Sequence, residues 1–229
     1  MSKNNHSEQW ISMSDMMTGL MLIFLLIAVS FMYQVQEKQK QKNQILFDYN
    51  NSRKKLYDKL EKSFSDKAKL WWMKIDKDLT IKFNVDFDPD SYQIKEKLKN
   101  ILDKFIPEYI KIINNPNYKN RIKEVRIEWH TWECKDFEYE ECLVLSQRRA
   151  NSVLLYIQNS PAFKKLSQKD KDKLNFWFSS NWLWDWKLLD KNWNYIYKTK
   201  LKVDNQKSRR VEFKIITNSD STIKNIINK

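Results

Sequence analysis

The sequence predicts an α+β protein carried on a single N-terminal transmembrane helix, with a helical linker between the two parts. Three observations carry that expectation. An uncharged apolar run extends from Met16 to Tyr33; a stretch without Gly or Pro follows, with apolar residues at threes and fours; and from Leu70 two-residue alternation trades with helical periodicity. The expected divisions are a short N-terminus at 1–9, a membrane helix at 10–33, a linker at 34–69, a folded domain at 70–218 and a tail at 219–229.

The apolar run is long enough to cross a hydrocarbon core of about 30 Å at about 1.5 Å per residue. A cleaved signal peptide is the rival, because Ala28-Val29-Ser30 resembles a small-x-small cleavage site. Asp15 at the front of the run, with Lys3 the single lysine before it, makes a poor signal sequence. On a helix Ser12, Asp15, Thr18 and Gly19 fall three and four apart and share one small, polar face. A carboxylate facing lipid costs about 2.5 kcal/mol or more at the bilayer centre, which turns Asp15 toward another helix or a water-filled gap. The alternative is a boundary acid stabilised by the helix dipole. Gly19, one turn on, gives a partner helix room for close approach. Lys38, Lys40 and Lys42 follow the run, so positive-inside counting would put the C-terminal part in the cytoplasm.

In the linker Leu46, Tyr49, Leu56, Leu60 and Phe64 recur at helical spacing, with Arg53 filling one gap. This is an amphipathic helix, able to pair with a second copy as a short coiled coil. In the domain, Leu79 to Phe87 alternates as a strand and Ser91 to Asn114 carries a helical apolar face. Asn114 to Asn120 is a turn, and Arg121 to His130 alternates again. Leu145 to Asn159 is helical with Ser146 at its cap, and Lys164 to Leu174 forms a short helix. Asn175 to Ser180 and Arg210 to Ile216 complete the set. The order is β-α-β-α-β-β, with helices on one side of a mixed sheet.

A formal charge of +13 favours a polyanionic partner such as nucleic acid, anionic lipid or an acidic wall polymer. Cys134 and Cys142 close a small disulfide loop if this region is outside the cytoplasm, and are two thiols if it is inside. With His6 and His130 the only histidines, a Cys/His zinc site lacks ligands, and no metal site is expected. No nucleophile–base pair, phosphate loop or metal set points to an enzyme. Trp177 to Trp193 holds five of the ten tryptophans; Trp182, Trp184 and Trp186 suit sugar stacking, core packing or a dimer interface.

Four strings then carry a resemblance. LSQRRANSVLLYI (Leu145 to Ile157) is similar to the LSxxRAxxVxxYL helix of OmpA-like peptidoglycan-binding domains, and SRRVEFKI (Ser208 to Ile215) resembles that family's closing NRRVEI strand. IEWHTW (Ile127 to Trp132) occupies the place of its GHTD strand end, and LTIKFNVDFDPDSYQI that of its opening strand and turn. The N-terminal stretch WISMSDMMTGLMLIFLLIAVSFM resembles MotB-type stator subunits, most closely the MotB-like subunit of the Zorya anti-phage defence system. That resemblance implies an ion-driven inner-membrane motor subunit, dimeric inside a pentameric ring of MotA-like multi-span partners and anchored to peptidoglycan. It implies no cofactor beyond a coupling proton or sodium ion, and no direct contact with nucleic acid.

It makes Asp15 the ion-translocating carboxylate, with Ser12, Thr18 and Gly19 as helix packing around it. It also implies a cytoplasmic N-terminus and a periplasmic domain, against the lysine count. Arg149 stands at the family's ligand-binding arginine, and Arg209 and Arg210 match the closing strand. Trp129 replaces the family's glycine and Trp132 the aspartate that helps hold diaminopimelate, with Glu133 next door as a substitute. A flagellar or other MotB-type stator, and a passive membrane-tethered wall-binding protein, are the alternatives.

Overall fold

The computed structural model describes residues 5–85, 87, 88, 90–130, 139–183 and 187–218. Contacts divide the chain into two units, one up to Asn50 and one from Asn51 onward.

Helix α1 runs Asn5–Ala68. In its first unit every described side chain from Ser14 to Tyr33 is exposed, and an 18-residue window reaches a mean hydropathy of 2.2. A predominantly apolar surface from Met16 to Tyr33 with nothing packed on it among the described residues, in a helix of this length, is suited to lipid rather than water.

The second unit is the α+β domain. It comprises β1 (Met73–Ile75), β2 (Thr80–Asn84), α2 (Glu96–Ile113), α3 (Pro116–Lys119), β3 (Ile122–His130), α4 (Tyr139–Asn159), α5 (Pro161–Lys164), α6 (Gln168–Trp177), β4 (Phe178–Leu183), α7 (Ile196–Thr199), α8 (Asn205–Ser208) and β5 (Arg210–Thr217). The sheet order is β1-β2-β5-β3-β4, with β3 and β4 parallel and the other pairs antiparallel.

Alternation along the strands decides which side chains meet the helices. Ile81 and Phe83, Val125, Ile127 and Trp129, and Val211, Phe213 and Ile215 are all buried on the helix side. α2 answers with Leu98, Ile101, Leu102, Phe105, Ile106, Tyr109 and Ile110, spaced at threes and fours. Phe105 is the hub, 4.9 Å from Phe83, 5.3 Å from Phe213 and 4.8 Å from Tyr109 between ring centroids.

Several boundaries differ from the sequence expectation. Leu56, Leu60 and Phe64 lie in the domain core, Phe64 packing on Trp71 and Phe105, so the end of the expected linker is the domain's first helical element, not a coiled-coil seam. α2 starts at Glu96 rather than Ser91: the Ser91 carbonyl accepts from Arg149 Nε, and the Ser91 amide closes a turn onto Asp88 O. α4 begins at Tyr139, leaving Ser146 buried in its interior rather than at a cap. α6 persists to Trp177 because Leu174 and Trp177, one turn apart, both bury, which delays β4 to Phe178. β1 was not expected at all: three residues are too few to display a period.

The other face of the sheet is charged and also covered. Lys82, Glu128, His130, Arg210 and Glu212 are each at most 2% exposed, beneath the segment from Lys187 to Asp204. That segment is tied down by Arg210 Nη2 donating to Lys187 O at 3.0 Å, the Leu189 amide to Ser208 Oγ at 3.0 Å, and the Asp204 amide to Leu189 O at 2.7 Å. Tyr195 lies with its ring 5.2 Å from Lys82 Nζ.

Candidate functional site: a membrane carboxylate and a basic rim

Two separate places hold the residues singled out from the sequence, one in each unit. In the first, Asp15, Thr18 and Gly19 are consecutive positions on one side of α1, with Thr18 Oγ1 donating back to Ser14 O at 2.8 Å. That bond satisfies the hydroxyl within its own helix. A Cβ added at Gly19 would meet nothing within 4 Å. The glycine therefore opens a shallow apolar groove, of about 500 Å³, bounded by Met16, Met17, Leu20 and Ile23. Ser12 belongs to α1, and its side chain lies outside the described residues.

The second place is the start of α2 and the neighbouring strand ends. Arg149, on α4, is 8% exposed. Its Nε donates to Ser91 O at 2.8 Å and its Nη2 to Asp88 O at 3.0 Å, while the guanidinium lies 5.3 Å from the Phe87 ring and 5.7 Å from Trp129. Phe87 and Trp129 meet edge to face at 4.7 Å, so the indole forms a wall under the arginine. Burial pulls the Arg149 guanidinium below its ordinary pKa, with Arg209 adding to that and Asp90 opposing it. Among the described residues Arg149 makes no ion pair within 4 Å, Asp90 acting on it only from further off, so a largely buried cation has no direct carboxylate partner.

Arg209 and Arg210 are adjacent in sequence and opposite in role. Arg209 lines a polar cavity of about 220 Å³ with Trp72, Asn84, Val85, Lys97 and Gln206, and its Nε has no hydrogen-bond partner among the described residues. Trp72 is 53% exposed at a left-handed φ of 53°, with Lys97 Nζ 4.7 Å from its ring. Arg210, expected beside Arg209 among the wall contacts, is instead wholly buried on the covered face. It donates from Nε to Glu212 Oε1 at 2.6 Å and from Nη1 to Ser208 O at 3.1 Å, in addition to its bond to Lys187. A strand flips successive side chains to opposite faces, and β5 begins at Arg210.

Trp132, Glu133 and Cys134 lie outside the described residues, as do Trp184 and Trp186 and the side chain of Trp182. Cys142, near the start of α4, is disulfide-bonded.

No family model matches the chain. A curated relative, the Zorya protein ZorB of Escherichia coli, is 34% identical over 98% of this chain and 94% of its own length. The chain belongs to the ZorB family. Among solved structures it is similar to the OmpA-like domain of FopA1 from Francisella tularensis (16% identity, TM-score 0.36, 63% of this chain and 80% of that one). It is also similar to the periplasmic domain of Helicobacter pylori MotB (16%, 0.39, 65% and 83%) and to the peptidoglycan-associated lipoprotein of Burkholderia pseudomallei (17%, 0.35, 57% and 86%). At scores below 0.5 these three likenesses decide nothing; membership of the ZorB family rests on the near full-length relative.

One group was missed from the sequence. Glu128, His130 and Glu212 converge on the covered face, and the alternation E-x-H in β3 with E two residues into β5 was the available signal. Counting only Cys and His as ligands hid it.

Proposed function

We propose that the chain is a stator-type subunit of an ion-driven inner-membrane motor in a Zorya anti-phage system. The supporting observation is the family relationship along nearly the whole chain, together with one carboxylate, Asp15, at the head of an otherwise uncharged membrane helix. Asp15 takes up a coupling ion, a proton or sodium, from one side and releases it to the other. Neutralising the carboxylate removes the cost of moving it along an apolar neighbour, so binding and release alternately free and lock the helix. The groove at Gly19 receives a helix of a MotA-like, ZorA-type partner, five copies of which surround a dimer of this chain.

In this reading the N-terminus is cytoplasmic and the domain periplasmic, where it holds peptidoglycan. Arg149, a buried cation with no direct carboxylate partner among the described residues, supports a carboxylate of the stem peptide as its ligand. Arg209 and Lys97 extend the basic rim. The role is mechanical, and no catalytic step is assigned to the chain.

The deciding experiment is phage plating on cells carrying the native operon with Asp15→Asn, membrane levels being checked in parallel. Loss of protection at normal levels is expected. Full protection would sink the motor reading in favour of a passive tether.

A further inference from the structure

The covered face of the sheet brings together three groups that the motor reading does not use. Glu128 and Glu212 are direct partners across the β3–β5 ladder, and His130 follows Glu128 on the same side of β3. Like charges set opposite one another repel, and these two are 1% and 2% exposed, with little water to screen them. His130 Nε2 lies between them, 3.4 Å from Glu128 Oε2 and 3.5 Å from Glu212 Oε2, and all three donor atoms fall within 4.8 Å of one another. Neither ring nitrogen of His130 makes a hydrogen bond among the described residues, although the side chain is only 2% exposed. A buried imidazole whose Nδ1 has no partner among the described residues, and whose Nε2 has only two long contacts, both to carboxylates, calls for a further partner.

We propose that Glu128, His130 and Glu212 form a site for a divalent transition cation of the zinc class. Two ligand atoms held at about 2.0 to 2.2 Å from a tetrahedral zinc ion stand about 3.3 to 3.6 Å apart, which matches the two separations from Nε2. One imidazole and two carboxylates suit zinc, whereas calcium and magnesium prefer all-oxygen shells of six or more.

The remaining carboxylate oxygens are already oriented. Glu212 Oε1 accepts from Arg210 at 2.6 Å and has Lys82 Nζ at 3.9 Å, and Glu128 Oε1 has Arg126 at 3.7 Å. Such outer contacts leave the Oε2 atoms aimed at the ion. Lys82 and Arg126 are chiefly engaged elsewhere, with Asp76 at 2.8 Å and Glu124 at 3.0 Å.

The competitor is Lys187, whose ammonium stands 3.4 Å from Glu128 Oε2. Its side chain is 32% exposed, so it can withdraw to solvent when the cation enters. A bound ion would pin β3 to β5 beneath the covering segment.

The test uses the full-length chain in detergent, stripped with a chelator and titrated with Co²⁺ and Zn²⁺. One equivalent of Co²⁺ giving the visible bands of a tetrahedral ion, displaced by Zn²⁺ with a rise in Tm, is expected. His130→Gln should abolish the bands, and Lys187→Met should tighten binding on the order of tenfold or more, because the ammonium it removes competes for Glu128 Oε2. Because His130→Gln itself could unfold the domain, Lys187→Met provides the independent reading. Absence of tetrahedral bands at saturating Co²⁺ would overturn the site, as would equal uptake by folded His130→Gln, or unchanged affinity in Lys187→Met.

Discussion

Phe64, four residues before the end of α1, sets its ring 5.0 Å from that of Phe105 at the centre of α2. The domain core therefore includes a helical element that precedes every strand. Phe64→Ala should destabilise the domain by about 3–5 kcal/mol, as for other buried aromatics truncated in a core. The matching prediction concerns boundaries: a fragment beginning at Asn51 should give a cooperative thermal transition, whereas one beginning at Leu70 should lack it. Equal melting of the two fragments would show that Leu56, Leu60 and Phe64 merely rest on a complete core.

Gly19 makes no close contact of its own, so Gly19→Ala should leave insertion and abundance unchanged or slightly raised, since Ala favours a helix by about 1 kcal/mol. Larger residues should progressively remove phage protection if a partner helix occupies the groove. A plating series with Ala, Val and Leu reads this directly. Protection that persists through Leu would place the partner elsewhere.

Arg210 holds Glu212, whose carboxyl is kept well below its ordinary pKa: His130, Arg210 and Lys82 together outweigh the opposing effect of burial. Arg210→Met leaves a buried carboxylate short of its nearest cation, and should cost about 3–5 kcal/mol by chemical denaturation. Arg209→Met, one residue earlier and facing the cavity, should cost less than about 1 kcal/mol while weakening sedimentation with purified peptidoglycan. Equal stability losses would contradict the division of labour between the two arginines.

Tyr156 on α4 donates to Asp103 Oδ1 on α2 at 2.7 Å. Loss of water around the phenol, then the hydrogen bond and charge of Asp103, push its pKa up to about 12 from 10.0. A raised pKa on an acid that is neutral below it means the stabilisation is fully present below pH 10 and disappears as pH climbs through 12. Difference spectra against Tyr156→Phe should show the late titration, and Asp103→Asn should bring it back toward 10.

Lys200, exposed at the C-terminus of α7, adopts φ 57°. Lys200→Gly should stabilise the domain by about 0.5–1 kcal/mol, because glycine accepts a left-handed cap without a Cβ clash. The loss of the contact between Lys200 Nζ and the Tyr197 ring, at 5.1 Å, works against this gain and sets its lower limit. An unchanged or lower Tm would mean that the contact outweighs the strain.

Periodicity revealed what is governed by one dominant face. The membrane run, α2 and β3 were legible because their apolar residues repeat at a single spacing. The end of α1 was misread as a coiled-coil seam because Leu56, Leu60 and Phe64 look the same whether they face a second copy or their own sheet. Arg149 was singled out as a position in a motif, and nothing in the sequence marked it as the donor to the Asp88 and Ser91 carbonyls. The covered face stayed hidden because its residues are charged, and burial of charge is set by a covering segment distant in sequence. Left-handed residues were equally invisible: Trp72, Leu79, Asp90, Trp193 and Lys200 take positive φ in a chain whose one glycine sits in α1.

β5 lies between β2 and β3 in the sheet, yet among the described residues it is the last strand. Until it arrives, β2 and β3 have no common neighbour, and Phe105 and Tyr109 lack the Phe213 ring they close upon. Folding of this domain thus waits on β5: a chain interrupted before residue 210 keeps the apolar helix but is left with two half-sheets with open edges. Such a product lacks the folded domain, and its unpaired strand edges offer a template for pairing with other chains.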